Sequence, residues 1–404
     1  MAPSARRAML LLRGLGHSGL GWHCGPAASA SWGRRWNSAE AAVAPPRPTA
    51  PRTPITSPAQ HTAQQLGLWY TMPPEIVRQL FSYGGLKKEY TSLCQTFAET
   101  CLMVREPALT AIDLIRRCDL SLPPNKLFFY GRDGCGKTLS LAHTAHYLAE
   151  SGWLLVHIPW APNWRRFFKE VAPSTTIPGQ YNHPLDATIW LQHFKTENGE
   201  LIKSLKLETQ QEYVWSKREI MAPHIPLLEL VDLGIARARY STDIVFALVS
   251  ELKTHAIQDR CKVAVVIDGI NTFFSPVTRH RREDRSIVGP EHFTLFQAFM
   301  QLFGSDWKNG VMLGTLDRIA NEAARRESHL PRYVLRQKGW ETLDPFVPIP
   351  VDDYNEVEMR SAIDYFLDRH WLQNPMAGSD IGRRELATLS AHNPRLLADV
   401  CRPL

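Results

Sequence analysis

No stretch of the 404-residue chain approaches the ~18 consecutive apolar residues of a membrane span, so no transmembrane helix and no membrane insertion are expected. The seven cysteines (24, 94, 101, 118, 135, 261 and 401) include no C-x-x-C pair and no histidine partners at zinc spacing. They read as reduced thiols, which argues against a disulfide framework or a zinc finger.

Residues 1–39 contain no Asp or Glu, while Arg6, Arg7, Arg13, Arg34 and Arg35 are spread among Ser, Ala, Gly and Leu. That is the composition of a mitochondrial transit peptide; the apolar run Leu10–Leu12 is too short for a secretory signal. We expect a leader over 1–36, cleaved near Trp36 or Asn37, and a mature protein in the mitochondrial matrix. Removing those five arginines from 46 Lys+Arg leaves 41 against 40 Asp+Glu, so the mature chain is not strongly basic. Blanket affinity for a polyanion is thereby excluded, and any phosphate contacts must come from local patches.

The chain is organised around Gly131, Arg132, Asp133, Gly134, Cys135, Gly136, Lys137 and Thr138, which fit G-x-x-x-x-G-K-[ST]. They follow an apolar run, Lys126–Tyr130, and precede a helix-like segment, Leu139–Glu150, as a phosphate-binding loop must. Gly131 and Gly136 let the backbone approach an anion, and the loop and helix amides then point at phosphate. Lys137 would bridge β- and γ-phosphates, Thr138 would hold Mg²⁺, and Leu139 opens the helix behind them. Cys135 reads as a small neutral side chain.

The remaining strands follow in order. Trp153–Ile158 is the second; Val263–Ile267 is the third and ends in Asp268, in the form of a Walker B strand whose carboxylate would bind Mg²⁺. Val311–Thr315 is the fourth, and Thr315 at its end resembles the polar residue that senses γ-phosphate in AAA-plus folds. Phe346–Pro350 is a fifth, edge strand, because its prolines exclude central pairing. Helical segments over 355–371, 383–391 and 394–401 then resemble the lid of AAA-plus and related signal-transducing NTPases, in which the place of Asn393, Pro394 and Arg395 often presents an arginine to the nucleotide. The fold class is α/β, a P-loop NTPase of AAA-plus-like form with a parallel sheet flanked by helices. The expected divisions are a Pro-rich tail and extension over 37–93, a nucleotide-binding domain over 94–352 and a helical C-terminal domain over 353–404.

Several segments remain open. Residues 41–60, with six prolines between Pro45 and Pro58, read as an extended linker without a core. Met72–Glu75 starts a helix into Ile76–Phe81, and Thr96–Arg117 has mostly helical spacing interrupted by Pro107. Met103, Val104 and Arg105 either flank a nucleotide base or pack on the sheet. An insertion, 160–240, mixes Trp160, Trp164, Trp190 and Trp215 with Lys and Arg; it either stacks on RNA or packs its aromatics inward, and packing is favoured. The basic run Thr278–Arg285 is a solvated loop or a contact for RNA or protein.

The residue after Asp268 is Gly269, where AAA-plus ATPases usually carry a water-activating Glu. Asn271 could orient a water but not accept its proton. No catalytic residue is expected.

Taken together, Cys101–Leu109, the phosphate loop with Leu139–Leu141, Trp153–Pro159, Trp190–Thr196, Tyr213–Glu219, Ile267–Asn271 and Leu343–Phe346 resemble the death-associated protein three family. That resemblance implies a constituent of the mitochondrial small ribosomal subunit, on its head near bridges to the large subunit, touching ribosomal proteins and rRNA. It also implies a bound GTP or GDP with Mg²⁺ and a link to apoptosis. By position it makes Gly131, Gly134, Gly136, Lys137, Thr138 and Asp268 the nucleotide site. Guanine rests on the resemblance alone, because no [NT]-K-x-D sequence occurs, and ATP stays open. A switch NTPase activated by a partner is the alternative function.

Overall fold

The computed structural model describes residues 49–404 apart from Val277, residues 323–325 and Leu404. The expected leader, Pro45, Pro46 and Pro48 lie outside the described residues. Among those described, no helix is long and apolar enough to cross a membrane.

The chain enters through β1 (Trp69–Thr71), α1 (Pro74–Phe81), α2 (Lys88–Phe97), β2 (Cys101–Met103) and α3 (Glu106–Arg117). β3 (Asn125–Tyr130), α4 (Lys137–Glu150) and β4 (Leu154–Ile158) follow. The insertion holds α5 (Pro162–Arg166), β5 (Ala172–Pro173), β6 (Tyr181–Asn182), α6 (Pro184–Leu205), the hairpin β7 (Tyr213–Ser216) and β8 (Glu219–Met221), and α7 (Leu227–Ala236). Next come α8 (Ala238–Ile257), β9 (Val263–Ile267), α9 (Thr294–Met300), β10 (Gly310–Thr315), α10 (Pro331–Leu343) and β11 (Val347–Pro350). The chain ends in α11 (Glu356–Asp368), α12 (Asp380–Ser390) and α13 (Pro394–Val400).

Five parallel strands form the central sheet in the order β11-β3-β10-β9-β4. Alternate residues feed two cores. Phe128, Val156, Val265 and Met312 face the insertion helices, while Phe129, Leu155, Val266 and Leu313 face α3 and α4. A sheet covered on both faces explains why its strands read as continuous apolar runs.

Both edges are closed. On β4 the Asn198 carboxamide of α6 accepts from Leu155 N (2.7 Å) and donates to Leu155 O (2.9 Å), and Trp190 Nε1 donates to His157 O (2.8 Å). On β11, Val351 N donates inward to Tyr130 O, so Pro348 and Pro350 share the opposite, outward parity where no N–H is required.

Two expectations change, and a third, the inward packing of the insertion, is met. Thr96–Arg117 is not one interrupted helix: α2 ends at a left-handed Ala98, β2 pairs antiparallel with β1, and Pro107 sits in the first turn of α3, where its missing N–H costs nothing. The proline segment is not a free linker from residue 50 onward, since Thr53 N donates to Trp69 O, Arg52 pairs with Glu99 at 2.7 Å, and His61 is buried against His143. The insertion packs inward, with Trp164 and Trp190 buried against Phe299.

Candidate functional site

Register brings three strand ends to one level: Thr315 lies beside Phe129, and Gly314 beside Ile267. The chain leaving β3 turns through residues 131–136 into the 14-residue α4. Gly131, Gly134 and Gly136 take φ of +155°, +83° and +108°. A Cβ on Gly131 would stand 2.2 Å from Val351 O, and one on Gly134 2.6 Å from Asn393 Oδ1. Glycine is therefore needed both for the turn and for the approach of α13.

Lys137 is buried, and its Nζ donates to the carbonyls of Gly131 (2.9 Å) and Arg132 (2.8 Å). Thr138 Oγ1 donates to Asp268 Oδ2 at 3.0 Å, and the Thr315 hydroxyl donates to the other oxygen of the same carboxylate. Thr315 Oγ1 in turn accepts from Gly269 N at 2.9 Å. The fold thus assembles Lys137, Thr138, Asp268 and Thr315 from three strand ends. An oxygen-rich corner of this kind can hold a hard divalent cation.

Three side chains reach this centre through partners that the sequence does not indicate. Lys87 Nζ lies 3.4 Å from Asp268 Oδ2 and 4.8 Å from the Trp160 ring centroid. Arg318 pairs with Asp133 of the loop at 2.8 Å; burial pushes the Asp133 carboxyl up, but Arg318 outweighs it and holds it below the usual range. Arg105 ties loop to lid: it pairs with Glu358 (2.9 Å) and donates to Cys135 O (2.6 Å) and Asp352 O (2.9 Å). Glu358 also closes a capping box with Asn355 at the start of α11, so Arg105 joins that cap to the loop.

Met103 and Arg105 do line a small cleft beside Gly136, with Leu139, Tyr354 and Pro394. Val104 faces elsewhere, fully buried among Tyr70 and Met72. The residue that reaches the loop from the lid is Asn393, whose Nδ2 donates to Asp133 O (3.0 Å) and Asp353 Oδ1 (2.7 Å). Arg395 contributes its backbone N–H to Gly134 O at 3.2 Å, while its guanidinium stands 3.9 Å from Glu89. Arg132 pairs with Asp353 at 3.1 Å. Burial pushes the Cys135 thiol up, in keeping with an inert side chain.

Asn271 is not free to orient a water. Its Nδ2 donates to Asp317 O (2.9 Å) and its Oδ1 accepts from Asp317 N (3.0 Å), so both ends of the amide are committed. Gly269 has φ +80°, and a Cβ there would meet Pro162 at 3.0 Å, so a side chain at this position would be strained as well as absent.

Fold and site together define an α/β protein whose polar centre lies at the carboxyl edge of a five-stranded parallel sheet, closed over by a helical lid. Residues 102–400 match the family described as mitochondrial ribosomal death-associated protein 3, and the chain belongs to that family. It is 35% identical over 356 residues to the mouse "Small ribosomal subunit protein mS29", covering 88% of this chain and 90% of the relative. The cattle protein of the same description is 36% identical over 350 residues, covering 87% of each chain.

Proposed function

We propose that this chain is a structural constituent of the mitochondrial small ribosomal subunit, and that it holds a guanine nucleotide with Mg²⁺ at residues 131–138 with little or no hydrolysis. The observation that carries the ribosomal role is the breadth of the likeness: relatives described as small ribosomal subunit proteins align over nearly their whole length. Import behind a leader over 1–36 fits that role, and sequencing the mature N-terminus tests it: an intact Met1 would refute cleavage.

The nucleotide reading is supported by fit. Numbered along the chain, the sheet strands run 5-1-4-3-2, with the glycine loop after the first and Asp268 after the third, as in AAA-plus and related P-loop NTPases. The amides opening α4 supply an anion cradle. Lys137 would exchange the two loop carbonyls for phosphate oxygens, and Thr138 with Asp268 would hold Mg²⁺ once Lys87 withdraws. The nucleotide supplies charge for the loop to close around. Absence of a base beside Asp268, with Asn271 occupied, favours a retained ligand over a switch that turns over.

Partners would be small-subunit proteins and rRNA, met by exposed basic positions such as Arg279, Arg281 and Arg285, with bridges to the large subunit. The test is to denature the native, ribosome-associated protein and identify the released nucleotide by chromatography and mass. GDP or GTP is expected. An adenine nucleotide would overturn the guanine assignment, and none at all would overturn the ligand.

A further inference from the structure

We propose that His157, His193 and Glu197 bind a divalent transition-metal ion of the zinc class, which clamps α6 to the edge strand β4. His193 and Glu197 lie four residues apart on one face of the 22-residue α6, and His157 projects toward them from β4. Their ligand atoms converge. His193 Nε2 is 3.2 Å from His157 Nδ1 and 3.2 Å from Glu197 Oε1, while His157 Nδ1 to Glu197 Oε1 is 2.6 Å.

Four ligands at zinc's usual ~2.0 Å bonds stand about 3.3 Å apart. Two of the three separations already have that value. The third is a hydrogen bond, which opens when the metal replaces the shared proton.

Two further observations point to a ligand. All three side chains are almost wholly buried, yet Glu197 Oε2 and His193 Nδ1 have no hydrogen-bond partner. A buried carboxylate left half-satisfied is costly in an apolar surround. A cavity of about 130 Å³, lined by Gln79, Glu150, Trp153, Leu155, Glu197 and Leu201, lies beside this part of α6, where Gln79 Nε2 donates to Glu197 O at 2.7 Å. Two nitrogens and one oxygen suit zinc better than magnesium or calcium, which prefer all-oxygen sites.

The test titrates the purified, chelator-treated full chain with Co²⁺ alone, follows its visible absorption, and then displaces the ion with Zn²⁺. About one equivalent is expected, with the bands of a four-coordinate nitrogen and oxygen site. His193→Gln and Glu197→Gln should each weaken binding by more than the roughly 10–100-fold typical of changes outside the coordination sphere. Absence of these bands, a thiolate charge-transfer band, or unchanged affinity in both variants would overturn the site. Should either variant fail to fold, X-ray absorption of the wild-type Zn²⁺ form decides. Two imidazoles without sulfur support the assignment, and a sulfur ligand or fewer than two imidazoles refutes it.

Discussion

The insertion helices and the lid helices are attached to the rest of the molecule in different ways. On the insertion side, α6, α7 and α8 join a continuous apolar core through Leu191, Phe194, Leu227, Leu230, Ile244 and Leu248. At Gly234 the helices approach so closely that a Cβ would stand 2.4 Å from Leu191 Cδ1. On the lid side, α11–α13 keep a smaller core of their own with Trp69 and Met103, and reach the glycine loop through polar ties from Asn393, Asp353 and Glu358. Apolar packing fixes the insertion whatever the loop contains, whereas the lid reads the loop's conformation directly.

The largest effect should come from Trp190→Ala. It removes a buried ring packed on Phe194 and Phe299 together with the donor to His157 O, and should cost about 3–5 kcal/mol, read as a lower urea midpoint. A loss below about 1 kcal/mol would contradict a fixed insertion. Next, Arg105→Ala leaves Glu358 buried without its partner and should cost about 3–5 kcal/mol at most, while the paired change Arg105→Met with Glu358→Leu should recover most of it. No recovery would mean that Arg105 acts mainly through Cys135 O and Asp352 O.

Lys137→Ala should leave the apo fold intact and abolish the thermal shift given by nucleotide, a stabilisation of about 2.7 kcal/mol at 100 times Kd. Full retention of that shift would move the ligand elsewhere. Asn393→Ala loses the cap of α13 and the bond to Asp133 O, for about 0.5–2 kcal/mol, and should raise proteolysis of the lid before that of the insertion.

The smallest effect concerns pH. Asp133 has its carboxyl depressed in the fold, so the Arg318 pair contributes stability above the ordinary value of 3.8 that is lost as pH falls through the lower folded value. Asp133→Asn should flatten the acid limb of the melting curve there; an unchanged limb would assign it to other carboxylates.

What could be read in advance follows the same division. The loop is one contiguous motif, Asp268 ends an apolar run, and Pro348 and Pro350 mark an edge, so each carries a local signal. Lys87 reaches the centre from a position whose neighbours in sequence say nothing of it, and Arg318 and Arg105, though close to Thr315 and Met103, carry no pattern that names their partners Asp133 and Glu358. Residues 101–103 were misread because three residues of strand between two helices disturb helical spacing too little to register. His157, His193 and Glu197 escaped for a related reason: the i,i+4 pair was visible, but its third member lies on a strand 36 residues away.

The two closed edges of the sheet bear on how such a protein accepts neighbours. Asn198 stands in for a missing strand at β4, and the outward prolines withhold donors at β11. Strand addition, the readiest route to unwanted fibres and to promiscuous pairing between chains, is blocked at both ends. A large assembly must therefore grip this subunit through helices, loops and side chains, which can specify one orientation in a way that a bare strand edge cannot.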